Sequence, residues 1–368
     1  MAALVFSLLA LLLPLASGET TLAWADRSTS LIIVLGFAIV GGLVAWRGVR
    51  GLISALAILF LVYLATLMTM QLLDNGVAGS SSWGFWSFIL ALWALTWRGI
   101  ASVAAYQTLN KNHQRLVAFF VPACFGFWLL FLWEMVCQGF GVPGVLLPPP
   151  SAIFIKLIAS LDILWADFVQ TFMKAVISGF AMGCASGFII AILVDRVPFL
   201  KRGLLPLGNL VSALPIVGVA PIMVMWFGFD WQSKAAVVVI MTFFPMLVNT
   251  VTGLSAAGAL ELELMRSYGA GYWQTLFKLR LPAAMPFVFN ALKINSTLAL
   301  IGAIVAEFFG TPIVGMGFRI STEVGRMNVD MVWAEIFIAA LAGSAFYGVM
   351  ALMERTVTFW HPSYRTKN

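Results

Sequence analysis

Charged residues make up only 10% of this sequence, against about a quarter in a soluble domain. That shortage excludes water as the main solvent of the fold. Histidine is scarcer still, with His113 and His361 far apart. The three cysteines, Cys124, Cys137 and Cys184, lie in or at the ends of apolar stretches and form no CxxC pair. A disulfide scaffold and a Cys/His metal site are therefore excluded, and no cofactor is expected in the chain. No Gly-Lys pair occurs anywhere, which excludes a Walker A phosphate loop. Scattered carboxylates without a clustered acid/base or metal set argue against a membrane-embedded enzyme. The net charge of +6 would suit nucleic acid only on a soluble basic domain, and no such domain is present.

Apolar length is what the sequence has in abundance. It is 62% hydrophobic over 368 residues, with a mean hydropathy of +1.00. A span needs about 20 apolar residues, and candidates fall near 2–17, 30–46, 52–73, 83–104, 116–137, 171–194, 204–228, 235–253, 287–309 and 331–353. The fold class expected is an all-α membrane protein of about ten transmembrane helices. The first candidate ends in Ala16-Ser17-Gly18, as a signal peptide would, but lacks a basic N-terminal region; we expect a retained span. Basic residues alternate in density between the loops. Arg47 and Arg50, Arg98, Lys111 and Arg115, Arg196, Lys201 and Arg202, and Arg266, Lys278 and Arg280 fall on one side. The opposite loops collect Asp26, Asp74, Asp162, Asp230 and Glu323. The positive-inside rule then puts both termini in the cytoplasm.

Gln107–Arg115 is a polar interruption. We expect a four-span region over 1–106, a cytoplasmic linker over 107–115, and a six-span core over 116–368. Leu147-Pro-Pro-Pro-Ser151 is a stiff stop, with Ser151 expected to cap a short outer helix over 152–162.

The loop at 254–286 is the most informative segment. Leu260, Leu264, Met265 and Tyr268 recur at near-helical spacing, as do Trp273, Leu276 and Phe277. Gly269 and Gly271 interrupt the pattern, and Pro282 and Pro286 are expected to end it. Two short amphipathic helices joined by a glycine turn are expected, on the cytoplasmic side, with apolar residues that want a groove on a partner.

This segment resembles the EAA loop of binding-protein-dependent ABC importer permeases: Glu-Ala-Ala, three residues, Gly, nine residues, Ile, any residue, Leu-Pro. Glu263 takes the Glu place, Gly269 the Gly, Leu279 the Ile, and Leu281-Pro282 the closing pair. Leu264-Met265 stand where the family often has Ala-Ala. The likeness runs from about 115 to 355. Leu146–Ser151, Asn209–Ala220, Trp226-Phe227-Gly228, Phe244–Thr250 and Ala306-Glu307 resemble the nitrate/sulfonate/taurine branch, which also holds importers of pyrimidine precursors, riboflavin and aromatic acids.

The resemblance implies a six-helix type I permease core in a bacterial inner membrane, preceded by about four extra helices. It implies that the loop docks on an ABC ATPase subunit dimer that carries the ATP and magnesium. Glu263, Arg266, Gly269, Ala270, Trp273, Phe277, Leu279, Leu281 and Pro282 would form that docking surface. It also implies a solute-binding protein outside, a second permease copy as a homodimer, and an organic anion or small heterocycle as solute. An ion-coupled secondary transporter is the alternative, but it gives no reason for such a loop.

Several residues are candidates for the translocation pathway. Pro215 and Pro221 predict a kinked or broken span, tolerated where protein or a water-filled path surrounds it. Lys293, Asn295 and Glu307 are costly in hydrocarbon and are expected to face the bundle interior; Asn209 and Asn249 are of the same kind. Gly179, Gly183 and Gly187 form a small-residue stripe suited to close helix packing, within the subunit or at a moving or dimer interface. Trp83, Trp86, Trp93 and Trp97 read as lipid-interface anchors or packing groups.

Overall fold

A chain in lipid must close its backbone hydrogen bonds within itself, which favours helices. The computed structural model, which describes residues 1–17, 21–48, 52–73, 77–105, 111–212, 215–310 and 313–360, is helical apart from a two-residue ribbon pair and its loops. Among the described residues, seven helices are long and apolar enough to cross a membrane: Ile53–Leu72, Trp83–Ala104, Val117–Gly139, Leu161–Arg196, Trp231–Leu254, Tyr272–Glu307 and Val329–Val357. They fall where seven of the ten expected spans lie. Shorter apolar helices occupy the other three places.

The chain divides into two compact units, 1–154 and 155–368. The first holds α1 (Ala2–Leu12), α2 (Ser28–Arg47), α3 (Leu52–Leu72), α4 (Trp83–Ala104) and α5 (Lys111–Gly139). The segment expected to span over 2–17 is helical for eleven residues only, about 16 Å and half a bilayer core. The chain then turns into antiparallel Ala16–Ser17 and Thr21–Leu22. Trp24, Phe37 and Phe88 make the centre of this unit, with edge-to-face rings 5.5 and 5.4 Å apart. In the same unit Glu134 of α5 accepts from the Ser151 N–H (2.9 Å) and Oγ (2.6 Å). The expected Ser151 cap is thus corrected: the helix α6 (Pro150–Ala159) starts two residues earlier than expected. A proline at the first position has no N–H to satisfy, and Glu134 supplies the capping oxygens for the next one.

The second unit is built on α8 (Ile177–Arg196), α11 (Trp231–Leu254) and α14 (Leu281–Glu307), with α16 (Val329–Val357) packed on α14. α7 (Leu161–Phe168) runs through a wide π-helical stretch, Val169–Val176, into α8 without a break. The span expected from 171 therefore begins ten residues earlier. A side chain at Gly179 would place its Cβ 2.6 Å from Val238 Cβ, and one at Gly187 would place it 2.5 Å from the Phe243 carbonyl oxygen. The glycine stripe accordingly packs within the chain, against α11.

The single span expected over 204–228 is corrected to two helices, α9 (Pro198–Ser212) and α10 (Ile216–Phe227). Pro215 stands at the N-cap of α10 with extended backbone, φ −67° and ψ 120°. It cannot donate to the ladder of a preceding helix, so the chain restarts there. Pro221 is accommodated inside α10.

Candidate functional site

The segment with the strongest sequence signature folds as α12 (Ala259–Ser267), a tight turn, and α13 (Tyr272–Thr275), which continues through a π-helical stretch, Leu276–Arg280, into α14. α12 buries none of its residues. Leu260 is 80% exposed, and Leu264 and Tyr268 are exposed with it. Glu263, Arg266 and Gly269 lie on the open surface, with Ala270 half-buried.

The turn is a Schellman motif. Gly269 N–H donates to the Arg266 carbonyl (2.9 Å) and Ala270 N–H to the Met265 carbonyl (3.0 Å). Gly269 has φ +64°, the left-handed region where glycine carries no Cβ penalty. That geometry is why this position in the signature is glycine. Gln274 Oε1 then accepts from the Gly271 N–H (3.1 Å) and starts the next helix.

Beyond the turn, Leu276 is buried against Leu254 and Ala284, with Ile192 and Tyr272 packed around them. Trp273 and Phe277 stack 6.0 Å apart and stay exposed. Leu279, Leu281 and Pro282 are half-buried. The expectation that Pro282 and Pro286 end this helix is overturned: it runs on to Glu307. The π-helical stretch just before Pro282 widens the turn, which relieves the clash of a proline ring with the carbonyl four residues back.

Three elements meet under this loop. Arg280 Nη1 and Nη2 donate to Asp195 Oδ2 and Oδ1, both at 2.7 Å. Tyr272 Oη donates to Asp195 Oδ2 (2.9 Å), and Arg280 Nε to the Leu254 carbonyl (2.9 Å). The Arg196 guanidinium lies 5.6 Å from the Tyr272 ring centre and 5.4 Å from that of Trp273.

The opposite end of the unit carries a buried polar group around α15 (Met316–Gly325). Glu307, 2% exposed, accepts from Thr171 Oγ1 (2.8 Å) and from the Gly317 N–H (2.7 Å). Thr171 Oγ1 accepts from the Met316 N–H (2.8 Å), and Asp167 from the Gly315 N–H (2.6 Å) and Arg319 Nε (2.8 Å). Two carboxylates and a hydroxyl thus take the first N–H groups of α15, where a helix lacks acceptors and favours negative charge. Buried Lys234 donates to the carbonyls of Phe229 and Asp230 within electrostatic reach of Glu307. Just outside the span, Gln170 Nε2 and then the Trp231 N–H donate to Asp230 and hold its carboxyl below the usual carboxylate range.

Glu335, fully buried beside Asp167, finds no donor for either oxygen among the described residues. An unpaired buried carboxylate beside a second acid is costly. The isosteric Glu335→Gln, whose uncharged amide carries donors, is expected not to lower the thermal midpoint of the purified protein. Glu335→Ala should lower it through the cavity it leaves. Equal losses in both would contradict this arrangement.

Of the remaining sequence candidates, Lys293 Nζ is paired with Glu354 at 2.6 Å. Asn295 is fully buried, donating to the Thr242 carbonyl (2.7 Å) and to Cys184 Sγ. Asn249 donates to the Pro245 carbonyl of its own helix (2.8 Å), and Pro215 is exposed. The Asn209 side chain lies outside the described ones. Among the described side chains, Lys293, Asn295 and Asn249 each have different partners.

Residues 179–359 match the family described as binding-protein-dependent transport system inner membrane component. The chain is 30% identical over 252 residues, 68% of its own length and 98% of the relative's, to the formylaminopyrimidine transport permease protein ThiX of Halalkalibacterium halodurans. The chain belongs to that family. The riboflavin transport system permease protein RibX of Chloroflexus aurantiacus is 29% identical over 64% of the chain and 88% of the relative. The putative aliphatic sulfonates transport permease protein SsuC of Bacillus subtilis is 29% identical over 64% and 86%. This is an ABC transport permease of the membrane, of a family that imports small solutes. The matched segment lies wholly in the second unit of the permease and includes the loop, α15 and Glu307, while Asp167 and Thr171 precede it.

Asp195 of the permease does not stand out in the sequence. An acid and a base adjacent at a span end look like ordinary loop charge. The available signal is the helix end itself, where an acid in the last turn opposes the macrodipole and calls for a partner.

Proposed function

We propose that this permease is the membrane subunit of an ATP-driven importer and that Ala259–Arg280 is the element docked by a separate ATPase subunit. The observation that carries this reading is α12: a nine-residue helix with no buried residue, showing Leu260, Leu264 and Tyr268 to the surface beside stacked Trp273 and Phe277. Apolar side chains clustered on a loop outside the spans favour a protein groove. ATP binding would favour one of two global states of the spans, and the loop is where that preference would enter. The solute would arrive from a binding protein on the opposite face of an inner membrane, through a pathway completed by a second copy of the chain. A small heterocycle or organic anion is the class of solute that the relatives' names support.

The test is co-purification of the tagged full chain from its native membrane in mild detergent. An ATPase subunit is expected with it, and Leu260→Glu/Leu264→Glu should reduce its recovery at least tenfold. Both side chains are exposed, so the fold should not suffer, and gel filtration would check that. Recovery of no ATPase, or full recovery with the double variant, would sink the docking reading.

A further inference from the structure

The docking loop is attached to the spans covalently at both ends, α12 to α11 through residues 255–258 and α13 directly to α14, and by the packing of Leu276 with Leu254 and Ile192. Its polar attachment is the junction of Asp195 with Arg280 and Tyr272, which reaches α8 and α11. Its composition is unusual for the place it occupies. Asp195 is the penultimate residue of α8, where the helix dipole disfavours an anion. Its side chain is only 5% exposed, and a buried carboxylate is destabilising unless its lone pairs are used. Three charge-assisted or hydroxyl hydrogen bonds from the loop use them. Arg280 simultaneously donates to the carbonyl of Leu254, the last residue of α11, where a cation is favoured. A planar guanidinium is suited to such a fixed, two-sided grip. Arg196, next along the chain, covers the outer faces of Tyr272 and Trp273.

We propose that Asp195 is a positioning residue that ties the motion of the docking loop to α8, with Arg280 as the shared link to α11. The inference rests on the docking of an ATPase at Ala259–Arg280 and deepens it. Without the fork, a displacement of α12 reaches α11 and α14 along the chain, and α8 through the apolar packing of Leu276 and Leu254 with Ile192. With it, α8, α11 and α14 receive the displacement together, at one point. Local preference argues against an acid at this position, and the gain that offsets it is the grip on the loop.

The experiment uses the co-purified complex in nanodiscs, with ATP and vanadate as the probe and hydrogen exchange as the readout. In the unaltered complex, trapping is expected to change exchange in 259–280 and in the last turns of α8. In Asp195→Asn, ATPase recovery and the change in 259–280 should persist, while the change in α8 falls at least fivefold. Asp195→Glu should restore most of it, and Tyr272→Phe, which removes one bond and keeps the fork, should reduce it about twofold to threefold. A normal α8 response in Asp195→Asn would overturn the proposal. So would release of the ATPase by that variant, since Asp195 would then order the loop rather than transmit its motion. Absence of any ATPase from the unaltered chain would instead remove the docking reading, and this inference with it. Should Asp195→Asn not fold, a normal α8 response in Tyr272→Phe decides against the proposal and a reduced one for it.

Discussion

Gly269→Val is expected to reduce recovery of the ATPase at least tenfold, while Gly269→Asn retains most of it. Nothing lies within 4 Å of where a Cβ would stand at this position, so steric crowding is not at issue. The difficulty is purely conformational. The turn holds φ at +64°, which costs an ordinary L-residue roughly 1–2 kcal/mol and a β-branched one more. Asparagine visits that region readily. Valine would have to abandon it, which breaks the paired hydrogen bonds to Arg266 and Met265 and swings α12 away from α13. Leu260 and Leu264 would then no longer share a surface with Trp273 and Phe277. Pull-down by the tagged permease distinguishes the two variants directly. Equal recovery with both would show that the relative orientation of the two helices is unimportant for docking, and the shared apolar surface would lose its proposed role.

The second large effect is expected inside the spans. Gly183 of α8 faces α11 so closely that an added Cβ would overlap Thr242 Oγ1 and approach the Val239 carbonyl oxygen to 2.9 Å. A flexible neighbour would yield, but a helix backbone does not. Gly183→Leu should therefore exceed the roughly 1–3 kcal/mol usual for overpacking and abolish monodisperse protein after solubilisation. Gly183→Ala should lower the thermal midpoint. Adding Thr242→Ala should recover part of that loss, because the hydroxyl is the nearer obstacle and the two sites share it. If Gly183→Leu purified with an unchanged midpoint, α8 and α11 would have to sit further apart in the membrane than these contacts allow.

Much of this architecture is legible in the sequence because its causes are local. Seven long spans follow from apolar length alone, and the glycine turn follows from a backbone angle that one residue type tolerates best. The departures have a common physical origin as well. Proline reads as a terminator at Pro282, where a preceding π-helical stretch makes room for it, and at Pro286, which the helix holds in its interior; at Pro215 it does restart the chain. The polar candidates can be read only one at a time in sequence, whereas their meaning depends on what stands opposite. Lys293 meets Glu354, and Glu307 meets Thr171 and the start of α15. Such long-range pairings leave no periodic trace. Asp195 is inconspicuous for the same reason, since its partners are 77 and 85 residues further along the chain.

The uninterrupted helix from Tyr272 to Glu307 has a mechanical consequence. Its 36 residues make a rod about 54 Å long, with the loop junction at one tip and the seat of α15 at the other. A rotation of about 10° around its middle would carry each tip roughly 5 Å in opposite directions, as follows from that length. A rod of this kind needs no relay of small rearrangements to carry a signal from one membrane face to the other. Its departures from regular α-helical bonding, the π-helical stretch and Pro286, both lie near the loop. Stiffening or softening that short stretch would change how much of a stroke delivered at one face arrives at the other.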